Sequence, residues 1–192
     1  MTCDGNKIIK RANICPLSFN IMLVYLSLVF IVSYLIATYF KAGKDIPESI
    51  SSTYFILDKK EIFSLTIIVS SVMLLLPFHL ITPGYHLLFP YLGVIGMIMV
   101  GLFPDTENNK QLKLHMIGGV GGCICFNIWT SLIWETWYIL FFWILFILLE
   151  YILSKKDVLK NKLLIHLRDH FIFWAEVITL FGVYSTLITN TQ

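Results

Sequence analysis

Six long apolar runs fill most of this 192-residue chain, and they constrain its fold more than any other feature. A helix needs about 20 apolar residues to cross the hydrocarbon core of a bilayer. Each crossing must be helical, because lipid offers the backbone no hydrogen-bond partners. The pattern predicts an all-α bundle in one membrane domain, residues 1–192. Six transmembrane helices are expected at about 17–40, 62–81, 86–103, 114–134, 136–153 and 171–189.

The composition supports this membrane assignment. Hydrophobic residues make up 57% of the chain and charged residues 14%, with a mean hydropathy of +0.79. Soluble proteins have roughly 45–50% apolar and about 25% charged residues. The sequence contains no basic patch interleaved with aromatic residues, so nucleic acid is not an expected partner. The expected partners are the lipid bilayer and either a second copy of this chain or another membrane protein.

The distribution of lysine and arginine predicts how the chain crosses the membrane. Short cytoplasmic connectors collect these residues. Eleven of the fourteen fall in three connectors, at 41–61, 104–113 and 154–170, and the other three precede the first span. The pattern therefore places these long connectors in the cytoplasm and both termini outside, as expected for a multi-pass protein of a bacterial inner membrane. The cations of the three connectors are Lys41, Lys44, Lys59, Lys60, Lys110, Lys113, Lys155, Lys156, Lys160, Lys162 and Arg168.

The first connector has helical features of its own. Asp45 suits an N-cap and Pro47 suits a first helical turn. Apolar residues at Ile46, Ile50 and Tyr54 then share one helical face. The sequence predicts a short interfacial helix at about 46–57. An alternative is that its hydroxyls bind a lipid headgroup or supply a nucleophile, although no adjacent base is evident. These hydroxyls belong to Ser49, Ser51, Ser52 and Thr53.

Glycines at the start of the predicted fourth span indicate close helix packing. Gly118 and Gly122 have the small-xxx-small spacing that lets two membrane helices approach closely, and Gly119 lies between them. We expect these three glycines to face a neighbouring helix.

Histidines before the last span form a candidate metal site. His166 and His170 are four residues apart, so they share one face of a helix. A catalytic zinc needs a third protein ligand and an open position. His115 or Asp105 could supply that ligand, because their connector lies on the same predicted side. Zinc is the candidate cofactor in this hypothesis, and two solvated interfacial histidines are the alternative.

Glu176 is the residue most costly to bury in this chain. It lies six residues into the last apolar run, where an uncompensated acid costs on the order of 2.5–3.5 kcal/mol. Such residues usually face the bundle interior and have a partner. The candidate partners are His79, Asn127, Tyr184 and His115. The predicted roles are a proton or cation relay, binding of a cationic group, or a structural hydrogen bond between helices.

Two motifs carry a resemblance to known families. The run Gly101-Leu-Phe-Pro-Asp105, followed by His115-Met-Ile-Gly118-Gly119, resembles the G-x-F-P and H-x-x-G signature of a bacterial six-helix membrane family of unknown function. A similar arrangement occurs in DRAM-type proteins. Residues 46–78, with an S-I-S-x-T-Y core, resemble short uncharacterised membrane proteins of Bacteroides-type bacteria and their phages. The resemblance implies six helices and no assigned activity.

Three functional hypotheses follow from these features. The first is a small, non-enzymatic membrane protein that acts through lipid or protein contacts, favoured because no complete catalytic constellation is evident. The second is a metal-dependent membrane hydrolase that uses His166, His170 and His115, with Asp105 assisting. The third is proton or cation conduction through Glu176.

Overall fold

The structure is a computed structural model, and the residues it describes form helices without a strand. It describes residues 5–42, 49–56, 59, 61–105, 108–133, 143–145, 148 and 170–190, with only the backbone for residues 5–18. The helices are α1 (Gly5–Ala42), α2 (Glu61–Ile81), α3 (Leu88–Leu102), α4 (Asn109–Ile133) and α5 (Phe171–Asn190). Two short 3-10 helices cover Ser51–Phe55 and Gly84–Leu87.

Five helical segments in the described residues are long and apolar enough to cross a membrane. The predicted all-α membrane bundle is therefore confirmed, and the chain is a multi-pass membrane protein. The predicted span at 136–153 lies outside the described residues except at 143–145 and 148. The spanning segments are Phe19–Ala42, Glu61–Ile81, Gly84–Leu102, Asn109–Ile133 and Phe171–Asn190.

Helix bounds differ from the prediction mainly where polar residues extend a helix beyond its apolar run. Helix α1 begins at Gly5 and α4 at Asn109, whereas the apolar runs begin near residues 17 and 114. In the first connector, the described part of the predicted helix is a 3-10 helix at Ser51–Phe55. Residues 46–48 and 57 of that prediction lie outside the described residues. Ser51 and Thr53 are buried while Phe55 is exposed, so one side of this segment packs against the bundle.

Helices α1 to α4 pack in chain order, and α5 packs against α4, α1 and α2. Neighbours in the sequence run antiparallel: Gly96 of α3 contacts Gly118 and Gly122 of α4, while Gly93 faces Phe126 further along α4. Helices α4 and α5 instead run parallel. Asn127 bonds Thr179, and three residues further along both helices Thr130 faces Gly182.

The bundle interior combines aromatic packing with buried hydroxyls. The main core includes Phe78, which stacks on Phe126 and meets Trp129 edge to face. Buried polar side chains are nearly as numerous as buried apolar ones among the described residues, and most are Ser or Thr. Many of these hydroxyls donate to a carbonyl of their own helix, which satisfies them without water.

Candidate functional site

Glu176 places a carboxyl group inside the membrane-spanning part of the bundle. Helix α5 begins at Phe171, so Glu176 lies about 8 Å along its axis at 1.5 Å per residue. Its Oε2 accepts a hydrogen bond from the backbone N–H of Ile50, with 2.5 Å between the oxygen and the nitrogen. The two residues are 126 positions apart in sequence. This contact ties α5 to the connector between α1 and α2.

The described part of that connector includes the compact segment Ser49–Ile56, which contains the 3-10 helix and the buried residues Ile50, Ser51 and Thr53, and which we call the buried loop. Two serines satisfy its first backbone groups: Ser52 N–H donates to Ser49 Oγ at 2.9 Å, and Ser49 N–H donates to Ser52 Oγ at 3.1 Å. The loop does not belong to a spanning α-helix, and such backbone is tolerated at membrane depth only where protein or a polar cavity satisfies its hydrogen bonds. Local serines therefore satisfy part of this need, and Glu176 satisfies the Ile50 N–H.

A second contact holds the buried loop from the opposite side. The Thr53 hydroxyl donates to the Ile50 carbonyl, so the Tyr34 hydroxyl of α1 donates to Thr53 Oγ1, at 2.7 Å. Thr53 is fully buried and Tyr34 is 4% exposed. Together Tyr34, Thr53, Ile50 and Glu176 form a connected set, which we call the clamp. It fixes the loop between α1 and α5.

Further polar contacts follow one turn along α5. Asn127 Nδ2 donates to Thr179 Oγ1 at 3.0 Å and to the Cys123 carbonyl at 2.8 Å. Its Oδ1 accepts from Trp143 Nε1 at 2.5 Å. The Cys123 side chain lies beside Thr179 and within electrostatic range of Glu176. Asn127 therefore links α4, α5 and Trp143 of the predicted fifth span.

A third polar group lies deeper, about 20 Å along α5 from its first residue. Ser27 Oγ donates to the Ser70 carbonyl at 3.0 Å, so the Tyr184 hydroxyl donates to Ser27, at 2.6 Å. Ser27 is fully buried and Tyr184 is 4% exposed. Polar contacts on α5 thus recur at Glu176, Thr179 and Tyr184, from one end of the helix past its middle.

The partner of Glu176 differs from every candidate named from the sequence. Among the described residues, the carboxylate is hydrogen bonded by the Ile50 backbone, while the four predicted side chains bond elsewhere. His79 bonds Tyr91, Asn127 bonds Thr179 and Tyr184 bonds Ser27. His115 bonds the Phe103 carbonyl. The candidates were all side chains, whereas the observed donor is a backbone N–H.

The predicted metal ligands are described only in part. His166 lies outside the described residues, while Asp105 follows α3 and His170 directly precedes α5. Within the described ranges, no three His, Cys, Asp or Glu side chains come close enough to hold a metal ion. The zinc hypothesis therefore stays a prediction, with no supporting geometry in this part of the chain.

His115 connects the two parts of the sequence motif, G-x-F-P at residues 101–104 and H-x-x-G at residues 115–118. Its Nδ1 lies 2.9 Å from the Phe103 carbonyl, which can only accept, so Nδ1 carries the proton. The ring is 4% exposed and connects the start of α4 to the residue after α3. A structural hydrogen bond to the Phe103 carbonyl explains the position of this histidine.

The packing glycines of α4 face glycines of α3. A Cβ at Gly118 would lie 2.7 Å from the Gly96 carbonyl oxygen, and one at Gly122 would lie 3.3 Å from that of Gly93. Gly119 faces Val100 at an ordinary contact distance of 3.6 Å. We call Gly93, Gly96, Gly118 and Gly122 the glycine seam.

Sequence reasoning missed Tyr34, Thr53 and the Ile50 backbone as parts of the site. The hydroxyl-rich stretch at residues 49–53 was the available signal, since hydroxyls in a connector can satisfy backbone groups at membrane depth.

The chain matches no protein-family model, and neither a curated protein nor a solved structure is significantly similar to it.

Proposed function

We propose that this chain moves a proton or a small cation through the membrane by means of the Glu176 carboxylate. The observation that carries the proposal is the hydrogen bond from the Ile50 N–H to Oε2 of an acid at membrane depth. Acidic residues within transmembrane segments commonly mark ion pathways or proton relays. Glu176 is the one acid placed away from a helix end in the described spans.

The polar contacts along α5 support a path that continues beyond Glu176. Thr179 with Asn127 lies about one turn further, and Tyr184 with Ser27 lies one to two turns beyond that. Hydroxyl and amide groups can pass or solvate a proton where apolar side chains cannot. These groups occupy the interior between α1, α4 and α5.

The proposal includes a threading with six crossings, cytoplasmic connectors and both termini outside, in a bacterial inner membrane. The parallel directions of α4 and α5 support the crossing count. Two parallel helices imply an odd number of crossings between them, and the sequence predicts one, at residues 136–153. The excess of Lys and Arg in the three long connectors supports the orientation.

The test is ion flux in liposomes that contain the purified protein. With an imposed pH or potential gradient, we expect the parent to conduct. The flux through Glu176→Gln should be at least about tenfold lower than the flux through the parent. Glu61→Gln is the matched control, because it makes the same chemical change at the exposed first residue of α2. Equal flux in the parent and in Glu176→Gln would overturn the proposal.

Two other hypotheses remain as distinct outcomes. No flux from correctly folded parent protein, with proton and several cations tried, would favour a non-enzymatic role in lipid or protein contacts. Zinc bound to the parent, and lost in His166→Ala with His170→Ala, would favour the hydrolase. The described geometry supports neither of these as directly as it supports a role for Glu176.

A further inference from the structure

We infer that the buried loop is a gate held closed by the ionised Glu176 carboxylate, and that neutralising this carboxylate releases the loop. This inference rests on the proposed function, because it assigns to the same carboxylate the control of access to the path. It adds a moving part, Ser49–Ile56, and a chemical signal, the protonation of one group. A proton that reaches Glu176 from the loop side would then release the loop and open the path.

The position of the loop supports a gate. Ile50, Ser51 and Thr53 are all buried although they belong to a connector. The loop reaches Tyr34, which lies about 12 Å back along α1 from Ala42. The loop therefore occupies the end of the bundle above Glu176 and separates this carboxylate from the aqueous side. Moving it outward would hydrate Glu176 without changing the packing of α3 on α4.

The chemistry of the contact supports control by protonation. A hydrogen bond from a backbone N–H to a carboxylate is charge-assisted and is roughly twice as strong as one between neutral groups. Protonation leaves a neutral carboxyl oxygen as the acceptor, so the contact weakens while its shape is kept. The remaining anchors of the loop, through Thr53 and the serines, are neutral hydroxyl contacts that protonation of Glu176 does not alter.

Other titratable groups near this contact are few in the described residues. Cys123 on α4 lies within electrostatic range of Glu176, and Tyr34 on α1 lies on the far side of the loop. On α2, Glu61 is exposed at the first residue. His115 on α4 is committed to Phe103, and His170 precedes α5. Cys123 is replaced by alanine in the protein used for the test, and a tyrosine titrates at about pH 10 in model peptides, so loop movement between pH 5 and 8 would report Glu176 or a histidine.

The test measures how fast a thiol in the loop reacts with a membrane-impermeant reagent. Ser51→Cys is the reporter, because Ser51 is 8% exposed and its side chain does not belong to the clamp. The native cysteines are replaced first, with Cys123→Ala chosen to add no polar group beside Glu176. Open membrane fragments make both sides accessible. Rates are divided by those of a Lys110→Cys reporter, which is at an exposed position in the polar first turn of α4 and corrects for the pH dependence of thiol reactivity.

We expect the normalised labelling rate to rise as the pH falls from 8 to 5. In Glu176→Gln the labelling rate should be roughly tenfold higher at pH 8 and should no longer depend on pH. A tenfold larger open population corresponds to a loss of about 1.4 kcal/mol from the contact that stabilises the closed loop. Tyr34→Phe should raise the rate at every pH and keep the pH dependence, which separates loss of an anchor from loss of the signal.

Controls keep the outcomes distinct. Thr189→Val changes an exposed threonine near the far end of α5, whose hydroxyl donates to the Ser185 carbonyl of the same helix, and it should label like the parent. Retained helicity and a single size-exclusion peak exclude unfolding. A parent rate that does not change with pH, or a pH dependence that survives in Glu176→Gln, would overturn the gate. Because labelling needs no ion flux, a pH-dependent loop in a protein that does not conduct would reject the proposed function and keep the gate.

Discussion

The glycine seam and the clamp join helices in opposite ways. In the seam, α3 and α4 approach until their backbones nearly touch, with Gly96 and Gly118 leaving no room for side chains between them. In the clamp, α1 and α5 are connected through an intervening loop and a few hydrogen bonds, chiefly at Tyr34 and Glu176. The seam is continuous, apolar and insensitive to charge. The clamp depends on single polar atoms, one of which can change its charge.

This difference between the seam and the clamp indicates which part of the bundle can move. Close packing between glycines is distributed over many contacts, so it has no single bond to release. The clamp has discrete bonds, and the strongest of them involves a titratable group. We therefore expect α3 and α4 to behave as a rigid pair and the end of the bundle near Glu176 to be adjustable.

The largest expected effect comes from filling the seam. In Gly118→Ala the new methyl would lie 2.7 Å from the Gly96 carbonyl oxygen, so α3 and α4 must separate. Overpacking costs about 1–3 kcal/mol, and a clash with backbone atoms, which cannot rotate away, should lie at the upper end of that range. Gly121→Ala is the control on the same helix, because a Cβ there meets nothing within 4 Å. The free energy of unfolding in mixed micelles should fall in the first variant only. Equal losses in both would contradict the seam.

A smaller effect is expected from removing the acceptor at Glu176. Glu176→Leu leaves the Ile50 N–H buried without a partner, which costs about 1–3 kcal/mol. Glu176→Gln should lose less, because its amide oxygen can still accept this hydrogen bond. The measurement is again the free energy of unfolding, at pH 8. If the leucine variant is as stable as the parent, the carboxylate does not hold the loop.

Much of the fold could be predicted because hydropathy reports burial in lipid directly. The spans around α2 and α5 agree with the sequence to within a residue or two, since apolar runs end where the bilayer ends. The start of α4 was less predictable, because polar residues such as Lys110 continue a helix into water without an apolar signal. Glu176 was identified from the free-energy cost of placing an acid within a membrane span, which depends only on the residue type and its depth.

The rest of the site was not predictable from residue types. Every residue except proline has a backbone N–H, so no sequence signal singles out Ile50 as the donor to Glu176. The partners of Gly118 and Gly122 were also missed, because Gly93 and Gly96 become significant only when α3 and α4 are paired. Pairing depends on tertiary contacts, which span distances that a local pattern does not record.

The smallest expected effect tests the other side of the clamp. Tyr34→Phe removes the hydroxyl that donates to Thr53 and keeps the ring, whose centroid lies 5.8 Å from that of Phe63. Hydrogen bonds between membrane helices average about 0.6 kcal/mol and reach about 1.7. The free energy of unfolding should fall by about this amount. Tyr39→Phe, at a position that is 55% exposed, should change nothing. A loss in Tyr34→Phe as large as in Glu176→Leu would mean that the two sides of the clamp contribute equally, and the greater strength assigned to the charged contact would then be wrong.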